Sequence, residues 1–419
     1  MSHNAFYAQS GGVTAVINAS AAGVIDAAKL YPEKIRNIYA GRDGIIGALT
    51  EDLIDISQES EAALAGLIHT PSGAFGSCRY KLKSLEQHRA HYQRLIDVFK
   101  AHDIRYFFYN GGGDSQDTAY KVAQLSEQLD FPITCVGVPK TIDNDLPHTD
   151  CCPGFGSVAK YAAISILEAS FDVASMHRTS TKVFVMEVMG RHAGWIAAAT
   201  GLARDERGLG PDIILFPEVM LDENAFLQRV KATVETRGFC IVAVSEGVKN
   251  SAGKFLSTAG NPDAFGHAQL GGVAPVIVEL IKRRLGHKCH WAVCDYLQRA
   301  ARHIASKTDV EQAYALGKAA VELAMKGKKS VMPVITRLAD SPYRWQIDAV
   351  SLADVANVER KMPAEFISED GMGITDACRT YLAPLIEGEA YPPYQHGLPG
   401  YTLLQKVAVP KKLNTGFVI

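Results

Sequence analysis

The chain has 419 residues, a length that suggests two domains and a C-terminal extension. Lys and Arg total 43 against 45 Asp and Glu, a formal net charge of −2, which excludes the basic footprint of a nucleic-acid binder or of a protein held on an anionic membrane. Hydrophobic residues at 47% and charged residues at 21% are ordinary for a soluble globular fold with a large core.

The opening MSHNAFYAQSGGV carries neither a basic leader nor an apolar h-region, and no later apolar run approaches the roughly 20 residues that span a bilayer. A cytoplasmic protein is expected. Phe6–Ala8 predicts a short strand, Ser10-Gly11-Gly12 a turn, and Val16–Ala28 an Ala-rich helix. The pattern recurs: a buried strand at Ile104–Tyr109, the turn Asn110–Ser115, a helix over Gln116–Leu129 and a strand at Ile133–Val138 ending at Pro139. Cys151 and Cys152 follow. The eight cysteines contain no C-x-x-C pair and read as thiols in a reducing compartment. Pro and Gly interrupt the pattern near Cys152–Gly156, where a domain boundary is expected. Further strands are predicted at Lys182–Val188, Ile213–Phe216 and Phe239–Val244, with helices over Asp222–Thr236 and Gln269–Leu285. Strands alternating with helices imply α/β architecture with parallel sheets covered on both faces, and ligands at the strands' C-terminal ends. Beyond about Ala339 the chain looks less regular, and Pro392-Pro393 and Pro399-Gly400 suggest surface-running segments.

Gly11-Gly12 and Gly111-Gly112-Gly113 follow strands and lack Cβ atoms, so their backbone N–H groups can approach a phosphate. Neither matches a P-loop or a G-x-G-x-x-G fingerprint. Asp114 beside such a turn is either a Mg²⁺ anchor or a helix N-cap, with Ser115 as the competing cap. The sharpest segment is Pro139-Lys140-Thr141-Ile142-Asp143-Asn144-Asp145, one ammonium and two carboxylates directly after a strand. Phosphoryl transfer to an alcohol needs a base, a cation on the transferring group and a metal-anchoring carboxylate, roles open to Asp143, Lys140 and Asp145 in that order. An Asp- and Asn-rich surface turn is the bland alternative.

With those segments in order, and with Met189-Gly190-Arg191, Ser245-Glu246-Gly247 and Tyr296-Leu297-Gln298-Arg299 after them, the chain resembles the phosphofructokinase family to about residue 340. The resemblance implies two doubly wound, Rossmann-like parallel-sheet domains with the active site in the cleft between them. Residues 1–152 would form the phosphoryl-donor domain and 153–300 the sugar-phosphate domain. Residues 301–419 would pack back on the first, with an extension beyond about 340. It implies Asp143 as the base for the sugar hydroxyl, with Thr141 and Ile142 contacting the reacting end of the sugar. Met189, Gly190, Arg191 and Glu246 would hold the sugar, and Tyr296 and Arg299 its 6-phosphate. Gly12, Arg79 and Asp114 would bind the donor. Lys182 would reach the sugar phosphate of a neighbouring subunit, which implies a homodimer or homotetramer. Arg191 and Arg299 as surface ion-pair partners, Glu246 as a helix-terminal carboxylate and Tyr296 as core packing are the plain alternatives. His192 reads as a residue that shapes its loop.

ATP-dependent members carry glycine where Asp114 and Lys140 stand. A carboxylate at 114 would repel the α-phosphate of ATP, and an ammonium at 140 would stabilise the transferring phosphates. The resemblance therefore narrows to diphosphate-dependent phosphofructokinases, which move phosphoryl reversibly between diphosphate and the 1-hydroxyl of fructose 6-phosphate in glycolysis and gluconeogenesis. Gly113 stands where the family's usual Mg²⁺-anchoring aspartate falls, leaving Asp114 and Asp145 as the metal candidates. An ATP-dependent enzyme, an inactive sugar-phosphate-binding paralogue and a dinucleotide-dependent oxidoreductase are the competing readings. The retained Asp143 argues against the second, and the missing glycine fingerprint against the third.

Overall fold

The computed structural model describes residues 2–257 and 270–419. Strands β1 (His3–Ser10), β2 (Ile35–Gly41), β3 (Leu53–Asp55), β4 (Ser77–Cys78), β5 (Ile104–Gly111) and β6 (Thr134–Pro139) belong to one sheet. Strands β7 (Val183–Val188), β8 (Ile213–Leu215), β9 (Cys240–Ser245) and β10 (Cys289–Val293) form a second, ordered β10-β7-β9-β8 and parallel throughout. Their cores read as near-continuous apolar runs because helices cover both faces. This is the two-domain α/β architecture that the alternation of elements implies.

The first sheet is not purely parallel. Its order is β12-β11-β6-β5-β1-β2-β3, where β11 (Val331–Asp340) and β12 (Tyr343–Ser351) form an antiparallel hairpin added beside β6. The segment beyond Ala339, expected to be irregular, thus begins with an alternating strand at a sheet edge, half of it exposed. Strand β3 closes the other edge antiparallel. The helix expected over Gln269–Leu285 runs Val273–Leu285, with Gln269 outside the described residues.

After the second sheet the chain returns to the first. Helix Lys307–Met325 lies against helix Ile17–Lys29 with almost no room between backbones. A Cβ on Gly23 would stand 2.1 Å from the Tyr314 carbonyl oxygen, and one on Gly317 2.1 Å from that of Ser20. At the start of the returning helix, the buried Asp309 carboxylate accepts hydrogen bonds from Gly154 N and Ser157 N at 2.9 Å and from Ser157 Oγ at 2.6 Å. Those donors open helix Phe155–Met176, so one side chain satisfies the orphan N–H groups where the chain enters the second domain. The last residues are strapped to the first domain. Glu51 accepts from the backbone N–H groups of Lys412 and Leu413, and Glu59 from those of Gln405 and Lys406.

Replacing Asp309 by Ala leaves three buried donors without a partner and is expected to cost roughly 2–3 kcal/mol. A urea titration followed by circular dichroism reads this as a lowered midpoint, and an unchanged midpoint would show that the cap contributes nothing.

Candidate active site

The C-terminal ends of both sheets open onto one cleft of about 1140 Å³. Lys140, the first residue after β6, is the centre of the wall formed by the first sheet. Its backbone N–H donates to the Gly111 carbonyl at 3.2 Å, and its Nζ donates to the Gly12 carbonyl at 2.7 Å. Gly11 turns the chain with φ of +73°, which only glycine adopts without strain. Gly12 lies against two guanidiniums: a Cβ there would stand 2.9 Å from Arg299 Nη1 and 3.6 Å from Arg79 Nη2. One ammonium and two guanidiniums from β6, the segment after β4 and the second domain thus converge on one glycine turn. Burial, reinforced by Arg299 and Arg79, pushes the Lys140 ammonium down to about 8 against the pull of Asp143 and Asp145.

Three carboxylates face these cations. Burial raises Asp143, opposed by Lys140, Arg191 and Arg79, and its N–H donates to Thr141 Oγ1 at 3.1 Å. Asp145 is pushed up to about 7 by burial and then by the charges of Asp143 and Glu359. Glu246, after β9, is also pushed up to about 7 by burial and by Asp143, while the Gly190 N–H and Arg191 oppose. Asp145 and Glu246 are thus shifted toward neutrality, and Asp143 upward, in a cleft that also holds an ammonium shifted down to about 8. Perturbed groups of this kind mark a reaction site.

On the wall formed by the second sheet, Gly190 has φ of +134° and lies so close to the Ala193 carbonyl that a Cβ would stand 2.8 Å away. The Met189 N–H donates to Gln298 Oε1 at 3.3 Å, and the Arg299 guanidinium lies 3.8 Å over the Tyr296 ring. Of the residues predicted from sequence, Gly12, Arg79, Asp114, Lys140, Thr141, Ile142, Asp143, Asp145, Met189, Arg191, Glu246, Tyr296 and Arg299 all line the cleft. Gly190 backs it. Lys182 lies at the opposite end of β7, where its Nζ donates to the His177 carbonyl at 2.6 Å, so it is not part of this chain's own cleft. Sequence reasoning missed Lys81, two residues past Arg79 on extended chain, and the stretch Asn357–Lys361, which lines the cleft from far along the chain.

Asp114 is not a helix cap. The helix runs Gly113–Gln128 with Gly112 at its N-cap, and Ser115 Oγ donates instead to Ser10 Oγ at 2.8 Å. Asp114 carries Lys81 Nζ at 2.6 Å. No group of three or more His, Cys, Asp or Glu side chains is arranged as a metal cage among the described residues. A divalent cation is usually held by one or two carboxylates and by substrate phosphate oxygens, and Asp145 and Asp114, both lining the cleft, suit that mode.

A profile described as "Phosphofructokinase" matches residues 4–324. The chain is 68% identical over 416 residues to "Pyrophosphate--fructose 6-phosphate 1-phosphotransferase" of Methylococcus capsulatus, covering 99% of each, and 63% identical over 411 residues to the protein so named in Halomonas elongata, covering 98% of each. Among solved structures, that of the pyrophosphate-dependent phosphofructokinase from Nitrosospira multiformis superposes with a TM-score of 0.92 at 65% identity, covering 99% of this chain and 100% of that one.

Because Lys140 sheds its proton near pH 8, inorganic diphosphate should bind the protein about tenfold more weakly at pH 9 than a fully charged site would hold it. Lys140→Arg keeps its charge over that range and should remove this loss. Titration calorimetry from pH 7 to 9 on both proteins tests it; identical pH slopes would take Lys140 out of the anion site.

Proposed function

The chain belongs to the phosphofructokinase family, and from that premise we propose that it transfers phosphoryl reversibly from inorganic diphosphate to the 1-hydroxyl of fructose 6-phosphate. The products are fructose 1,6-bisphosphate and phosphate. The observation that carries the reading is Lys140 Nζ on the Gly12 carbonyl at 2.7 Å, beside Asp143 and where Arg79 and Arg299 meet.

Fructose 6-phosphate enters between the two walls, its 6-phosphate on Arg299 and Tyr296 and its hydroxyls on Glu246 and the Met189–Arg191 loop. Asp143 takes the proton of the 1-hydroxyl as that oxygen attacks the near phosphorus of diphosphate. Lys140 and Arg79 offset the charge that builds on the transferring group and on the departing phosphate. Thr141 orients Asp143 through its hydroxyl, which accepts the Asp143 N–H. In the reverse direction Asp143 returns the proton. A divalent cation, Mg²⁺, would be held by Asp145 or Asp114 together with diphosphate oxygens, and would supply further neutralisation of the donor's charge.

Donor choice follows from the same wall. Asp114 with its Lys81 partner stands at the mouth where a longer polyphosphate would continue, and a fixed carboxylate there disfavours an α-phosphate. Lys140 replaces contacts that a nucleotide would have made. The enzyme works as a homo-oligomer. In support, β10 is an edge strand with exposed Trp291 and Val293, and Leu297 just beyond it is 68% exposed, an apolar band of the kind a second copy covers. Lys182, on the neighbouring β7, would then serve the partner's site. No described helix is long and apolar enough to cross a membrane, and a cytoplasmic place in glycolysis or gluconeogenesis fits the substrates.

Initial rates with Mg²⁺ should show turnover with diphosphate and none with ATP. Lys140→Gly should lose at least roughly 10²-fold in diphosphate-dependent kcat. Turnover of wild type with ATP alone would overturn the donor assignment and leave the sugar site standing. Asp143→Asn should lower kcat by roughly 10³-fold in both directions with the KM for fructose 6-phosphate little changed; retained turnover would remove Asp143 as the base.

A further inference from the structure

The segment Asn357–Lys361 lies outside residues 4–324, the part of the chain that matches the family profile, yet it forms one wall of the cleft. The β11–β12 hairpin brings it there. After β12 the chain turns through Leu352–Val355 onto helix Gly113–Gln128, where Asn357 Nδ2 donates to Asp117 Oδ1 at 3.1 Å. It then meets the loop that follows β6.

Arg360 makes the decisive contacts. Its backbone N–H donates to the Asp145 carbonyl at 2.6 Å. Its guanidinium reaches three more carbonyls: Nε and Nη2 donate to Asn144 at 3.1 and 2.8 Å, and Nη1 donates to Thr149 at 2.5 Å and Asp150 at 2.8 Å. Its other face lies 4.8 Å over the ring of Trp195, on the helix that follows the Met189–Arg191 loop. One planar fork thus spans the donor-side loop and an aromatic side chain of the second domain.

The loop needs such a partner. Asn144, adjacent to Asp143, is held at φ of +55°, a left-handed conformation that costs an L-residue free energy unless its surroundings fix it. Asn144 itself is fully buried and bonded at its side chain to Cys152 N and to the Tyr381 hydroxyl. A fork with fixed donor directions defines the positions of several carbonyls at once, which a lysine cannot do.

We propose that Arg360 is a positioning residue for catalysis: by binding the carbonyls of Asn144, Asp145, Thr149 and Asp150 it holds Asp143 in line with the sugar hydroxyl. The assignment rests on the role given to Asp143 above. It gives the C-terminal extension a part in the reaction beyond closing the sheet edge.

Arg360→Ala and Arg360→Lys test it on the full-length enzyme. Rates are taken relative to wild type with whichever phosphoryl donor wild type uses, so an error in the donor assignment leaves the comparison intact. A shift of the loop by about 1 Å should lower kcat by roughly 30- to 100-fold in both variants. The affinity for fructose 6-phosphate by calorimetry should change less than about threefold, since the groups that hold its phosphate and most of its hydroxyls, Arg299, Tyr296, Glu246 and Met189–Arg191, lie on other elements. Guanidinium ion at millimolar concentration, which fits the space vacated in Arg360→Ala, should restore part of kcat, and Arg360→Lys supplies the kcat comparison if the Ala variant does not fold. Variants that melt earlier but keep kcat within about threefold of wild type would reduce Arg360 to a structural staple and overturn the proposal.

Discussion

A buried ammonium sets the terms for the active half of this molecule. Lys140 bonds the ends of three strands together: its own, at the end of β6, the Gly111 carbonyl that ends β5, and the Gly12 carbonyl beyond β1. Taking an ammonium out of water costs several kcal/mol by general experience and must be balanced by close partners. Asp143 and Asp145 offset part of that cost from the same loop, while Arg299 and Arg79 add to it, and burial still wins. Two arginines and a lysine meet around one glycine turn, a cluster of positive charge of the kind that suits a multiply charged anion. Lys140, with Arg191 and Arg79, keeps Asp143 from rising as far as its burial alone would drive it.

That arrangement depends on the two sheets being held at a fixed separation, because Arg299 and Lys140 come from different domains. The chain crosses between the domains and then comes back, and the return helix is fitted to helix Ile17–Lys29 at two glycines where neither backbone tolerates a Cβ. Asp309, on the returning helix, binds the opening turn of helix Phe155–Met176 on the outgoing path. Outgoing and returning segments are therefore joined by a charged cap, at the point where the donor domain passes into the sugar domain. Small residues and a buried carboxylate here serve geometry rather than chemistry.

Much of the site was legible in the sequence because its chemistry is concentrated in short segments at strand ends. Pro139–Asp145 stood out by its charges directly after a strand, with a plain surface turn as the alternative, and Met189–Arg191 and Glu246 were named through the family resemblance at the ends of apolar runs. What was hidden depends on distance along the chain. Lys81 pairs with Asp114 from 33 positions away, and Arg360 binds a loop more than 200 residues earlier; neither has a local pattern that announces its partner. The sheet edges were hidden for a related reason. β12 is exposed on alternate residues, so its sequence lacks the apolar run that identified the central strands, and only the pairing with β11 makes it a strand. The helix start at Gly113 was misplaced because Gly112 caps it without any side chain, while Asp114 and Ser115, already inside the first turn, are the residues that read as caps.

Gly113 itself is the most informative departure. It is not there for want of room: a Cβ at this position would meet nothing within 4 Å. The absent carboxylate must be explained by charge. Asp114, one residue on, already places a negative group at the cleft mouth and is matched by Lys81 at 2.6 Å. Across the cleft, Asp145 is held up to about 7 by burial and by its neighbours Asp143 and Glu359, so negative charge is already crowded on that side. A further aspartate at 113 would have no cation of its own among Lys140, Arg79 and Lys81, all of which face other groups or the anion. With glycine at 113, the cleft wall at this point is a backbone turn and a helix N-terminus, a surface that favours negative charge, with no further carboxylate on it.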